Sequence, residues 1–332
     1  MCSKDPTKFY DPTIGNLCYT NYFDANDGFT IGYAASKNLS TAKKILLLCP
    51  GLTGYAIPFI EWFWPLYDNE TALVAIDWRG FGLSSGNISS KGYQDSGIFF
   101  GFNIFTFASD INELVENYLP IDIPIVFLGH SHGILCAYQY FNDYGTKKAS
   151  GFINLDESLM NLPQRRAADI SYPINSTFDW STVEDWVNKY QCKTSGGKYP
   201  LVQKALYDQF KVPGFSETKN QLNMWMDYTR NINGDVLAFI FKNDMTIDLT
   251  YIIKKTIVAN NLPVFVYVGK GSLVPYKTQE WIYNTVKNIP FSEKMEVSKK
   301  CGGYHTPFLP TAKPRNKLMD RLKKFITNVS LP

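Results

Sequence analysis

One stretch constrains the fold of this chain more than any other: Pro124-Ile-Val-Phe-Leu-Gly-His-Ser-His-Gly-Ile-Leu-Cys-Ala-Tyr-Gln-Tyr140. An apolar run from Ile125 to Leu128 enters the turn Gly129-His130-Ser131-His132-Gly133, and a second apolar run from Ile134 leaves it. A strand, a sharp Gly-x-Ser-x-Gly turn and a helix hold the central serine at the helix N-terminus with its side chain exposed. The two glycines have a physical job. A serine on so tight a turn has strained dihedrals, and a Cβ at either flanking position would collide with the neighbouring strand or helix.

The rest of the chain repeats the strand-helix alternation that this turn requires. Residues 44–49, 72–77 and 263–268 are short apolar runs, the mark of strands buried on both faces, and 151–156 continues the alternation. Residues 17–23 and 29–36 read as two further strands joined by the turn-rich Asp24-Ala-Asn-Asp-Gly28. Helical spacing is visible near 108–118, where Ile111, Leu114 and Val115 recur, and at 277–288 and 315–329, with a strand at 293–298 before the last. The pattern predicts an α/β fold, a mostly parallel central sheet flanked by helices. It breaks between 157 and 250, a segment that carries Trp180, Trp186, Met224, Trp225 and Met226. An inserted cap accounts for this break. The expected organisation is a core over 1–156, a cap over 157–250 and the remainder of the core over 251–332.

Composition narrows the partners. At 332 residues, with 45% hydrophobic and 15% aromatic residues, the chain can fill the core of one large domain bearing an insertion. The formal net charge is +3 and the basic clusters are only pairs, such as Lys43-Lys44 and Lys299-Lys300, which argues against nucleic acid. No stretch of about 18 apolar residues occurs, and the N-terminus lacks an apolar signal core. The expectation is a protein without a transmembrane segment, cytoplasmic in location. The six cysteines, Cys2, Cys18, Cys49, Cys136, Cys192 and Cys301, form no C-x-x-C pair, and Cys49 and Cys136 sit inside apolar elements. Neither a metal nor a redox site is indicated, and a reducing compartment fits.

In the order of its parts the chain resembles the α/β-hydrolase superfamily along almost its whole length. Leu46-Leu-Leu-Cys-Pro-Gly-Leu-Thr-Gly54 stands where such enzymes place an oxyanion loop, and Asp77-Trp-Arg-Gly-Phe-Gly-Leu-Ser84 resembles D-x-R-G-x-G-x-S. The Ser131 turn follows, and Gly302-Gly-Tyr-His305 stands near the C-terminus. Within the superfamily the chain looks like the cofactor-free esterase and haloperoxidase-like branch, or the neighbouring monoglyceride lipase and lysophospholipase branch. One departure is Pro50, which occupies a place where histidine is usual.

The resemblance implies a serine hydrolase that cleaves carboxylic esters through an acyl-enzyme, without a cofactor. Ser131 is then the nucleophile, which needs a base to take its proton. The chain has three histidines. His130 and His132 adjoin Ser131 on the turn and point away from its hydroxyl, which leaves His305. The order Ser, acid, His along the chain is that of the fold. Leu52 and His132 are expected to give backbone N–H groups to the oxyanion hole. The acid is less direct. Its usual place, after the strand that follows the cap, reads Gly269-Lys-Gly-Ser272 and holds no carboxylate. Some relatives, certain haloalkane dehalogenases among them, put the acid at the end of the strand after the elbow helix, where Asp156 stands; Glu157, Asp244 and Asp248 are the competitors. Asp77 and Arg79 read as an ion pair bracing loops around the site.

Aromatic residues crowd the same region: Phe59, Trp62, Phe63 and Trp64 after the oxyanion loop, and Phe99, Phe100, Phe102 and Phe105 before the next helix. They predict a small-molecule ester substrate with an apolar acyl or alcohol part. Amides and thioesters are open to the same residues. A second reading, from another class, is a receptor-like protein that binds a small ligand under its cap, favoured by the missing acid at Ser272.

Overall fold

Uninterrupted apolar runs make the centre of an eight-stranded sheet in the computed structural model, which describes residues 9–85, 102–161, 214–228 and 247–329 with Gln164, Ile240 and Asp244. The strands are β1 (Cys18–Asp24), β2 (Thr30–Ser36), β3 (Lys44–Cys49), β4 (Thr71–Ile76), β5 (Ile125–His130), β6 (Ala149–Leu155), β7 (Val264–Gly269) and β8 (Glu293–Val297). Their spatial order is β1-β2-β4-β3-β5-β6-β7-β8. β2 runs antiparallel to both β1 and β4, and every later pairing is parallel. All residues of β4, β5 and β7 are buried, as continuous hydrophobic runs in a parallel sheet require.

Helices cover the sheet: α1 (Pro12–Leu17), α2 (Ala56–Phe63), α3 (Ile104–Asn117), α4 (His132–Tyr144), α5 (Lys219–Tyr228), α6 (Tyr276–Val286) and α7 (Arg315–Val329). A short helical turn, Thr250–Ile252, runs into a π-helix over Ile253–Val258. Leu318, Leu322, Phe325, Ile326 and Val329 bury one face of α7, and Phe325 meets Phe265 of β7 edge-on at 5.8 Å. The expected strands and the helices at 277–288 and 315–329 match these elements to within a few residues. Two helices differ. α3 begins at Ile104 rather than near 108, because the Asn103 side chain accepts the N–H groups of Phe105 at 3.0 Å and Thr106 at 3.1 Å and so caps it. α2 is not legible as a helix in the sequence. Seven of its eight residues are buried, so it has no polar face to give a period. The cap expected over 157–250 falls largely outside the described residues.

Strand register fixes what meets at the edge of the sheet. Cys49 pairs with Gly129, His130 with Leu155, and Leu155 with Tyr267. The loop after β3, Ser131 after β5, Asp156 after β6 and the 270–275 loop after β7 therefore leave the same edge, the carboxyl end where open parallel sheets bind ligands.

The loop after β4 departs from expectation in one respect. Asp77 and Arg79 do not pair with each other. Asp77 accepts the N–H of Ala56 at 2.5 Å, at the start of α2, and that of Leu83 at 2.7 Å. Arg79 forks onto Asp110 of α3 at 2.8 and 2.6 Å and also reaches Asp27. Both residues brace loops, each through its own partners. Planar guanidinium and carboxylate suit the two-point contact.

Two consequences are measurable. Asp110→Ala leaves a buried guanidinium with only the half-exposed Asp27, and breaking a buried pair costs about 3–5 kcal/mol. A loss near the lower figure is expected in urea denaturation, and a loss under about 1 kcal/mol would show that the pair contributes little. Burial pushes the Asp77 carboxyl up to about 7, against its two amide donors. An acid with a raised folded pKa contributes stability at low pH that is lost as pH rises through the folded value. The stability of the wild type relative to Asp77→Asn should therefore fall between pH 5 and pH 8; parallel stabilities across that range would contradict the raised value.

Candidate active site

Ser131 sits at φ 50 and ψ −130, a conformation that few residues other than glycine adopt, directly before the first residue of α4. Its carbonyl accepts the Ile134 N–H at 2.8 Å and its N–H donates to the Leu155 carbonyl at 3.3 Å, so helix and neighbouring strand both fix the turn. The glycines are needed for space. A Cβ on Gly133 would lie 2.1 Å from the Cys49 carbonyl oxygen, and one on Gly129 would lie 2.8 Å from Cα of Ile134. Ser131 is half-buried while His130 and His132 on either side are buried.

The three histidines have three different partners. His130 Nε2–H donates to the carbonyl of His305 at 2.9 Å, and the two rings lie 4.7 Å apart. Burial, then the neighbouring His305, hold the His130 pKa well below its usual value, so this ring is neutral. His132 Nε2 faces Asp244 Oδ2 at 2.7 Å, and its Nδ1 lies 3.6 Å from Cys136 Sγ. His305 Nδ1 lies 2.6 Å from Asp156 Oδ2. A carboxylate on Nδ1 fixes the tautomer that leaves Nε2 as a proton acceptor.

Of the four candidate carboxylates, Asp156 is the one brought to His305. Asp244 meets His132 and accepts the Ile104 N–H at 3.3 Å. Asp248 accepts the Thr250 N–H and hydroxyl and the Gln164 amide. Glu157 accepts the N–H of Ser158 at 2.7 Å. Asp156 itself is fully buried at φ 69, and two further donors surround it. The Ser272 hydroxyl donates to Oδ2, and Gln279 Nε2 donates to Oδ1 at 2.7 Å. Burial raises its pKa and the hydrogen bonds from His305, Ser272 and Gln279 oppose that rise. Gln279, on α6, is oriented by its other end, which accepts the Gly269 N–H at 3.1 Å. No sequence signal pointed to Gln279. Ser272 had one, its position where the family places an acid.

The loop after β3 lies against this turn. A Cβ on Gly51 would be 3.1 Å from Ser131 Cβ and 2.7 Å from His130 Nδ1. Leu52 follows, half-buried, and His132 opens α4, where the first N–H groups have no acceptor within the helix. Pro50 makes use of its carbonyl, which accepts the Trp78 indole N–H at 2.9 Å. Among the expected aromatics, Phe59, Trp62 and Phe63 are buried and pack with Trp225 and Phe308, and Phe308 meets the His130 ring at 4.7 Å. Trp64 stacks on Tyr67, Phe102 is buried, and Phe105 faces solvent at 50% exposure. Phe99 and Phe100 lie outside the described residues. Cys18, Cys49, Cys136 and Cys301 are free thiols. Among the described residues, no group of three or more histidine, cysteine or acidic side chains is arranged to hold a metal, and no helix is long and apolar enough to cross a membrane.

Residues 44–189 match the family model described as alpha/beta hydrolase fold. No curated protein sequence matches the chain. Solved structures share its fold at low identity. An esterase from Exiguobacterium antarcticum aligns with TM-score 0.66 and 15% identity over 92% of this chain and 99% of its own. A carboxyl esterase from Bacillus coagulans aligns with TM-score 0.61 and 15% identity, covering 95% and 99%. A bromoperoxidase from Bacillus anthracis aligns with TM-score 0.62 and 15% identity, covering 92% and 99%. The strand order, the strand-turn-helix around Ser131 and these likenesses show that the chain has the α/β-hydrolase fold.

Proposed function

We infer that this protein is a serine hydrolase of carboxylic esters, with Ser131 as nucleophile, His305 as base and Asp156 as the acid that orients it. One observation carries this reading: His305 Nδ1 sits 2.6 Å from a buried carboxylate at the end of the strand next to the Ser131 turn. In the proposed reaction His305 Nε2 takes the Ser131 proton as Oγ bonds to the ester carbonyl carbon. The N–H groups of Leu52 and His132 hold the oxyanion. His305 then returns the proton to the leaving alcohol, and a water molecule, deprotonated by His305 in turn, releases the acid from Ser131. Asp156 stays ionised throughout and stabilises the imidazolium. Dehalogenase and epoxide hydrolase chemistry of the carboxylate-nucleophile kind does not suit a serine at 131.

The two esterases among the similar structures support an ester as substrate. The aromatic residues packed around His130 and His305, including Phe215 at 5.6 Å from the His305 ring, support an apolar acyl or alcohol part. The cap over 157–250 is proposed to complete that pocket. The receptor-like reading drew on Ser272. With Asp156 beside it and its hydroxyl donating to that carboxylate, Ser272 has a place in the catalytic reading instead.

Hydrolysis of p-nitrophenyl esters from acetate to long acyl chains tests the proposal. Turnover is expected in the wild type and absent in Ser131→Ala; turnover that persists in the variant, or no turnover and no fluorophosphonate labelling in the wild type, would overturn it. Asp156→Asn should lower kcat by roughly 10⁴-fold, since the imidazole loses its orienting carboxylate, and a loss under tenfold would exclude Asp156. Activity should fall toward acid as Asp156, whose pKa burial raises, takes up a proton and no longer offers His305 a charged partner. Ser272→Ala removes one of three donors that favour ionised Asp156, so the acidic limb of kcat/KM should move to higher pH. An unmoved limb would show that Ser272 does not act on the carboxylate.

A further inference from the structure

Thr53 holds a conformation that its own chemistry disfavours. It lies at φ 73, in the left-handed region, with its side chain wholly buried. The Gly54 N–H donates to the Gly51 carbonyl at 2.9 Å and closes a four-residue turn in which Thr53 takes the third place. A positive φ there suits glycine or asparagine, and a β-branched residue in that region is strained. Such strain persists where the surroundings over-determine it, and it collects at functional sites.

The surroundings can be named. Thr53 Oγ1 accepts the indole N–H of Trp225 at 3.1 Å, across 172 residues of chain, with both side chains buried. Trp225 is itself immobilised. It stacks on Trp62 at 5.4 Å and meets His130 at 5.7 Å and Phe215 at 5.5 Å. It stands on α5, and Gly214 lies five residues before the first residue of that helix, Lys219. The Gly214 carbonyl accepts the N–H of His305 at 2.9 Å and that of Leu273 at 3.2 Å. Trp225 thus contacts the Leu52 loop through Thr53, and Gly214, eleven residues earlier, contacts the His305 and Ser272 loops.

We propose that Trp225 and Thr53 form a pin that holds the Leu52 N–H in oxyanion-donating position, which makes both of them positioning residues. The inference rests on the hydrolase reading above. Neither side chain is a reacting group of the proposed mechanism. The pin acts by keeping a strained turn in one conformation, so that the adjacent N–H is fixed before charge develops on the substrate oxygen. Deleting one oxyanion donor costs about 10²–10³-fold in kcat. Loosening a donor that remains present should cost less, about 10- to 100-fold, and leave KM within about threefold, because the oxyanion forms only after the ground state.

A double-mutant cycle decides the matter, with Thr53→Val, Trp225→Phe and the double variant compared in kcat, KM and urea denaturation. Valine keeps the shape and β-branch of threonine and removes the acceptor. Each single variant is expected to lose kcat about tenfold or more, and the double variant no more than either single. Thr53→Ser, which keeps the hydroxyl, should stay within about threefold of the wild type. Multiplying kcat losses, a Thr53→Val enzyme at wild-type kcat, or a Thr53→Ser enzyme as impaired as Thr53→Val would overturn the pin. Should Trp225→Phe fail to fold, the contrast between valine and serine at 53 decides alone. A wild type with neither turnover nor fluorophosphonate label would overturn the hydrolase reading and the catalytic role of the pin with it. The stability arm separates the two failures, since additive unfolding midpoints would remove the pin in an active or an inactive protein.

Discussion

The close backbone approach of α4 to the end of β3 is the constraint on which the rest of the site depends. Gly133 lets the first turn of α4 lie against the carbonyls of Cys49 and Pro50, where a Cβ would be 2.1 and 2.4 Å from the two oxygens. That contact fixes three things together. It forces the turn at Ser131 into positive φ, it sets the first N–H groups of α4 beside the Leu52 loop, and it lines up β3 and β5 so that their ends finish level. A side chain at 133 would separate the helix from the strand and disperse all three.

Around this contact, buried carboxylates do most of the bracing, each with a different partner. Asp77 takes two backbone N–H groups, Asp110 takes a guanidinium, and Asp244 and Asp156 each take an imidazole. Burial raises the pKa of all four, and in each case hydrogen bonds or an opposite charge pull it back. The pairs are not interchangeable in kind. Asp77 and Asp110 end on groups that hold loops in place. Asp156 ends on the His305 imidazole, the base of the proposed mechanism, which gives it a chemical use there.

Much of this was legible in the sequence for a physical reason: buried parallel strands are mostly apolar along their length, so residues 44–49, 72–77 and 263–268 declare themselves. The Ser131 turn and His305 stood out because the turn demands glycines and the chain has three histidines. Features that depend on distant pairing were hidden. α2 is buried almost all round and shows no period, Gln279 reaches Asp156 over 123 residues, and Arg79 finds Asp110 rather than its near neighbour Asp77. Local spacing favoured an Asp77–Arg79 pair. The fold instead supplied Asp77 with backbone amides and left Arg79 to α3.

The arrangement also explains why the acid of the proposed mechanism can stand after β6 while the usual place after β7 holds a serine. β6 and β7 are neighbours in register, Leu155 beside Tyr267, so the loops that follow them leave the sheet side by side. The Ser272 hydroxyl contacts the same Asp156 oxygen that His305 Nδ1 contacts. The two chain positions therefore converge on one point in space next to the imidazole. Orientation of the ring depends on a carboxylate at that point and is indifferent to which strand delivers it. Delivery from β6 has its own requirement: Asp156 must turn at φ 69 to aim its side chain at His305. The donors from Ser272 and Gln279 then stabilise the charge in a site that burial alone would neutralise.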